Sequence, residues 1–139
     1  MPEIRRGTFI DSCVLLDLFT NDPTWKPWSV EQLAAAERQG QLMINPIVFS
    51  EISVAFSRIE KISAILKGMG VVIEPIPEEA AFLAGKAYAA YRKLGGKRTA
   101  PLPDIFIGAH AAVRALPLIT RYPKRMRHYY PRLTLITPA

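Results

Sequence analysis

Five short runs of β-prone, mostly apolar residues are spaced along the chain, and a helical stretch fills most of the gaps between them. This alternation restricts the fold more than any other feature of the sequence. The runs are Thr8-Phe9-Ile10, Leu42-Met43-Ile44, Val71-Val72-Ile73, Leu118-Ile119-Thr120 and residues 133–136. Helical spacing is expected over residues 12–19, 28–39, 46 to about 57, about 60 to 68 or 70, 77 to about 94, and 104 to about 114. Strands that alternate with helices predict an α/β fold with a mostly parallel five-stranded sheet and helices on both faces. The third run is short and apolar enough to be expected in the interior.

Local signals set the boundaries. Asn21-Asp22-Pro23 reads as a turn, and Gly40 closes the helix before it. Asn45-Pro46 opens the next helix, with Asn at the N-cap and Pro where a missing N–H costs nothing. Glu78 and Glu79 favour the start of the longest helix through its dipole, and Gly95-Gly96 stops it. A basic, Pro-rich loop at 97–103 follows. No repeat, low-complexity segment or linker divides the sequence, so residues 1–139 are expected to form one domain.

The formal charge of +6 and a pI of about 9.7 favour an acidic or polyanionic partner. The single cysteine, Cys13, lies in an apolar run and reads as a reduced core residue. Arg5 and Arg6 precede an apolar stretch, but Asp11 and Asp17 interrupt it as they would not in a secretion signal. With no apolar run of membrane-spanning length either, the expected location is the cytoplasm, away from membranes.

Aspartate is scarce, occurring only at positions 11, 17, 22 and 104. Asp11 follows the first strand directly, at the carboxyl end where parallel sheets bind ligands; a plain helix cap is the alternative. Glu51 falls on or beside the apolar stripe of Ile47, Val48, Ile52, Ala55 and Phe56, where an ionised carboxylate is costly unless paired or metal-bound. The alternative is a glutamate at the stripe edge reaching solvent. Asp104 opens a helix with small residues, Gly108, Ala111, Ala112 and Ala115, on one face; it too would suit a first turn for its charge alone. Gathered together, three carboxylates would repel one another unless a divalent cation joined them. Oxygen-only ligands favour Mg²⁺ or Mn²⁺ over zinc.

The segments Phe9-Ile10-Asp11-Ser12-Cys13-Val14, Asn45-Pro46-Ile47-Val48-Phe49-Ser50-Glu51 and Pro103-Asp104-Ile105-Phe106-Ile107-Gly108 resemble, in order and spacing, the acidic motifs of PIN domains. More narrowly they resemble the VapC-like toxins of toxin–antitoxin pairs. The resemblance implies a Rossmann-like three-layer sandwich and a metal-dependent endoribonuclease that hydrolyses RNA phosphodiesters. Asp11, Glu51 and Asp104 would be its catalytic, Mg²⁺- or Mn²⁺-holding acids, with Ser12 and Thr120 as hydroxyls beside them. It also implies an antitoxin partner and a homodimer. One departure is plain: where relatives commonly read Thr-Arg-Asp, this chain reads Thr120-Arg121-Tyr122, and no acid follows. A second metal site is thereby put in doubt, and a degenerate module that binds RNA or a protein is the alternative function.

Other residues carry weaker signals. Asp17 is expected in a surface or salt-bridge role, and His110 at the polar edge of a helix. Arg92, Lys93, Lys97, Arg98, Arg121, Lys124, Arg125, Arg127 and Arg132, with Tyr129 and Tyr130, are candidates to contact RNA phosphates and bases, or are simply solvated charge.

Overall fold

The computed structural model describes residues 6–95 and 102–138. In chain order the elements are β1 (Arg6–Ile10), α1 (Ser12–Phe19), α2 (Lys26–Gln39), β2 (Gly40–Ile44), α3 (Pro46–Ile52), a 3-10 turn (Ser53–Ala55) and α4 (Ile59–Gly68). They continue with β3 (Val71–Ile73), α5 (Glu78–Lys93), α6 (Leu102–Val113), β4 (Leu118–Ile119), α7 (Pro123–Tyr129) and β5 (Leu135–Ile136). The strands form one sheet in the order β3-β2-β1-β4-β5, and every neighbouring pair is parallel. The expected α/β architecture, with helices layered on the sheet, is observed.

The chain builds outward from β1 in one direction through β2 and β3, then returns to the other side of β1 for β4 and β5. The switch point therefore lies between β1 and β4, beyond whose carboxyl ends open parallel sheets bind ligands. Phe9 aligns with Met43 on one side and Leu118 on the other. Phe9, Ile10, Leu118 and Ile119 are fully buried, joined by Val14, Leu15, Val48 and Ile52 from the covering helices. A second cluster of Ala80, Ala84, Ile105, Ala109 and Tyr130 joins α5 and α6 to the residues after α7.

Helix starts follow their caps. The Asn45 side chain accepts from the Val48 N–H at 3.0 Å, with Pro46 in the first turn. Asp11 caps α1 by accepting from the Ser12 N–H at 2.8 Å.

Three expectations need correction. The third strand is not interior: β3 is the sheet edge, and Val72 and Ile73 are 44% and 41% exposed. Apolarity alone does not distinguish an edge strand from a central one. The helix opened by Pro46 ends at Ile52 and passes into the 3-10 turn rather than running to about 57. Finally, α7 has no counterpart in the sequence reading. Its heptapeptide, Pro123 to Tyr129, is basic and buries only Met126, so it offers no apolar stripe.

α7 is held instead by close approach. A β-carbon at Gly108 of α6 would lie 2.6 Å from ring atoms of Tyr130 and 3.1 Å from the Met126 sulfur. Tyr130 is 6% exposed, and its hydroxyl donates to the Ile105 carbonyl at 2.7 Å, so the ring has little room to retreat. The small-residue face of α6 thus serves the packing expected of it. In an open helix Gly→Ala stabilises by about 1 kcal/mol. Here Gly108→Ala should instead cost about 1–3 kcal/mol through overpacking, read as a lower midpoint in urea unfolding. A rise in the midpoint would show that Tyr130 does not dock on α6.

Candidate functional site

The backbone delivers Asp11, Asn45 and Thr120 to one end of the sheet, because each directly follows a strand: β1, β2 and β4. Asp11 is 2% exposed and Thr120 fully buried. The Thr120 hydroxyl donates to Asp11 Oδ2 at 2.7 Å. An ionised Asp11 can only accept, so the hydroxyl proton points to it, while the Tyr122 N–H donates to the same hydroxyl oxygen at 3.1 Å. The bond spans the switch point between β1 and β4.

Glu51 comes to the site from the last turn of α3, and Ser12 Oγ donates to Glu51 Oε1 at 2.8 Å. Asp104 comes from the first turn of α6, which begins at Leu102 and not at Asp104 itself. Arg125 of α7 donates to Asp104 Oδ2 at 2.6 Å. All three carboxyls have raised pKa values. Burial is the main cause in each case, and a neighbouring carboxylate adds to it: Glu51 acts on Asp11, Asp104 on Glu51, and Asp11 on Asp104. The three acids therefore share one electrostatic neighbourhood. Each nonetheless has its own protein donor, and among the described residues no group of three or more His, Cys, Asp or Glu side chains is gathered to hold a metal as it stands.

Asp17 is paired, as one of its expected roles required, but it is not on the surface. It is 2% exposed, accepts from Ser29 Oγ at 2.7 Å, and takes a two-pronged ion pair from Arg121 with both bonds at 2.9 Å. Arg121 also lies 5.0 Å from the centroid of Trp25. Arg121 is thus committed to the fold rather than presented to solvent. Lys124, Arg127 and Arg132 are exposed, while Lys97 and Arg98 lie outside the described residues. Cys13 is half-buried, and burial pushes its thiol up to about 12, in keeping with an inert reduced residue.

His110 is not at a polar edge but fully buried. Because Asn45 spends its carbonyl oxygen on the Val48 N–H, its Nδ2 faces His110 Nδ1 at 3.2 Å. Nδ1 must then accept, so the proton sits on Nε2 and is donated to Glu74 Oε2 at 2.8 Å. Arg114 completes the network on Glu74 Oε1 at 2.9 Å. This chain of bonds ties α6, which carries Asp104, to the cap of α3, which carries Glu51. The sequence holds no signal for it, since Glu74 is 36 positions from His110 and 40 from Arg114.

The PIN domain family profile matches residues 8–130. The chain belongs to the PIN domain family. Solved structures with the same fold include a chain of VapBC2 from Rickettsia felis bound to a DNA fragment from its promoter. That chain has a TM-score of 0.73 and 16% identity, over 96% of this chain and 99% of the other. A chain of VapBC-1 from nontypeable Haemophilus influenzae gives 0.69 and 21%, covering 94% and 97%. A chain of a toxin–antitoxin complex from Klebsiella pneumoniae gives 0.61 and 24%, covering 95% and 98%. Comparison with curated protein sequences gives no match. This PIN domain thus shares its fold with chains of VapBC complexes. Among its described residues no helix is long and apolar enough to cross a membrane.

The buried histidine gives a pH test. Burial lowers the His110 pKa below 6.5, and Arg114 lowers it further; the hydrogen bond and charge of Glu74 oppose this without reversing it. Asn45 and Phe9 supply the other faces of the ring. The neutral ring's contribution is therefore complete above pH 6.5 and is lost as the pH falls through the folded value. His110→Gln should cost about 1–3 kcal/mol at pH 7.5, as expected when buried partners are left unmatched. Urea unfolding at pH 7.5 and pH 5 should show the gap between the two proteins narrowing on acidification. A constant gap would mean that folding leaves the His110 pKa where it stands in the unfolded chain.

Proposed function

We propose that this PIN domain is a metal-dependent endoribonuclease and the toxin of a toxin–antitoxin pair. The observation that carries the reading is the trio Asp11, Glu51 and Asp104. These carboxylates disfavour one another's ionisation, lie beyond the carboxyl ends of the central strands, and have two hydroxyls within bonding distance. Hard oxygen donors with excess negative charge suit Mg²⁺ or Mn²⁺. Adjusting the Asp104 side chain, now drawn to Arg125, is what gathering the three acids around one ion would require. Such an ion, held by these residues, would lower the pKa of an attacking water and offset charge on the phosphodiester.

The chain's own groups have separable tasks. Asp11 is the fixed member, oriented by Thr120 and by the Ser12 N–H. Ser12 sets the direction of Glu51. Exposed cations on and after α7, Lys124, Arg127 and Arg132, attract the RNA backbone. Kinship in fold with chains of VapBC complexes supports an antitoxin as partner, and the family resemblance implies a homodimer as the working form.

The test is cleavage of labelled RNA with and without Mg²⁺ or Mn²⁺. Asp11→Asn should reduce cleavage by at least about 100-fold, a typical loss when a catalytic metal's support is removed. In chelator it should also melt higher than the parent, because a buried like-charge member has gone. Wild-type cleavage rates in Asp11→Asn would exclude Asp11 from the chemistry.

Tyr122 favours a second reading, a degenerate module that binds RNA or a protein without cutting. If the wild type is inactive with either metal and Tyr122→Asp gains metal-dependent cleavage, that reading is correct. Under the primary reading the wild type cleaves, and Tyr122→Asp raises Mn²⁺ stoichiometry in calorimetry or speeds cleavage at low metal.

A further inference from the structure

Two arginines flank Tyr122, and the fold treats them differently. Arg121 is pinned by its two-pronged pair with buried Asp17, and its side chain is 14% exposed. Arg125 is 48% exposed and, among the described residues, makes one ion pair, to Asp104 Oδ2 at 2.6 Å, while Asp104 is 18% exposed. The Tyr122 ring lies 5.4 Å from the Arg121 guanidinium carbon and 5.1 Å from that of Arg125. Thus one of the three acids is neutralised from within by a cation at the rim of the site, on a stem that is half-exposed to solvent.

From this we infer that Arg125 is an internal counter-cation which a divalent ion must displace from Asp104, and which, once displaced, binds a phosphate of the nucleic acid beside Tyr122. This rests on the reading of Asp11, Glu51 and Asp104 as cation ligands. A planar, always-charged guanidinium suits both positions, since carboxylate and phosphate present the same paired oxygens. The consequence is coupling. Metal binding frees Arg125 for phosphate, and phosphate draws Arg125 off Asp104 and opens the acid to metal. By thermodynamic necessity the two effects are equal. An exposed ion pair is weak, so the competition should be worth about two- to fivefold in metal affinity.

The test uses the full chain. Mn²⁺ affinity is measured by calorimetry without nucleic acid for the wild type, Arg125→Ala and Arg125→Lys. Binding of a fluorescent 2′-O-methyl oligoribonucleotide is then measured with chelator and with saturating Ca²⁺, which stands in as a hard-oxygen cation. Thermal melting in chelator checks that each variant is folded, as expected for a half-exposed side chain. Arg125→Ala should bind Mn²⁺ about two- to fivefold more tightly, and Arg125→Lys should fall between it and the wild type. The Ca²⁺-dependent gain in oligonucleotide affinity should shrink in Arg125→Ala by that same factor. If Arg125→Ala binds Mn²⁺ no more tightly than the wild type, Arg125 does not compete for Asp104. If Mn²⁺ tightens but the gain from Ca²⁺ is unchanged, Arg125 is only a nearby positive charge, and the displacement model is wrong. If the wild type binds no Mn²⁺, the metal-dependent reading itself fails and takes this one with it, an outcome distinct from the other two.

Discussion

A carboxylate buried at the middle of the sheet is the constraint around which this protein is arranged. Asp11 ends the central strand at 2% exposure, where an ion costs several kcal/mol in lost hydration. Its compensation comes from two directions at once: its own helix supplies the Ser12 N–H, and β4 supplies the Thr120 hydroxyl. The second requires β1 and β4 to be neighbours in register, with Phe9 against Leu118 and Ile10 against Ile119. That alignment also buries Phe9, Ile10, Leu118 and Ile119 completely. Each such side chain contributes about 1.5–3 kcal/mol, so the apolar packing that fixes the register outweighs the buried acid. The core thus offsets the cost of a buried charge that its role as the cap of α1 recovers only in part.

The sheet was legible because buried parallel strands must be nearly all apolar, and short runs such as Leu42-Met43-Ile44 have no alternative in a chain this size. The helices were legible through caps, Asn45-Pro46 most clearly. Where the reading failed, the deciding force was tertiary. Val72 and Ile73 are as apolar as an interior pair, yet among the described residues nothing pairs beyond β3, so they are partly exposed. α7 is seven mostly polar residues with no stripe, held by Met126 and by the Tyr130 ring lying against a glycine 22 positions earlier in the chain. A helix anchored by another helix's missing side chain leaves no periodic trace.

The site divides along the same line. Asp11 and Glu51 stood out because carboxylates are expensive where the pattern put them, and both are close to Ser12. What could not be read were the partners. Asp17 meets Arg121 across 104 positions, and Asp104 meets Arg125 across 21. The sequence shows nine cations near its two basic segments with nothing to rank them. The structure separates them by what they touch. Arg121 belongs to the interior, Arg125 to an acid of the site, and Lys124, Arg127 and Arg132 to solvent. His110 was misjudged for a related reason. Burial of an imidazole needs an acceptor and a donor from elsewhere, and Glu74 and Asn45 come from the ends of two other strands.

Tyr122 stands where the family commonly carries an acid, and the geometry explains why the exchange leaves the site's frame intact. Position 122 touches Asp11's support through its backbone: the N–H that donates to the Thr120 hydroxyl oxygen is present with any residue except proline. The side chain therefore decides only the charge and shape of the rim. An acid there would compete with Asp104 for Arg125, and with Asp17 for Arg121. A tyrosine does neither, and its ring instead lies close to both guanidinium groups, at distances where cation and aromatic attract. The substitution thus removes a carboxylate from the edge of the cluster, keeps the buried acid's supports, and leaves an aromatic face at 44% exposure beside the least constrained arginine of the site. Aromatic and arginine side by side next to an acidic cluster form a surface suited to a base and its phosphate, so the loss of an acid at 122 changes what the rim can hold more than it changes what the centre can do.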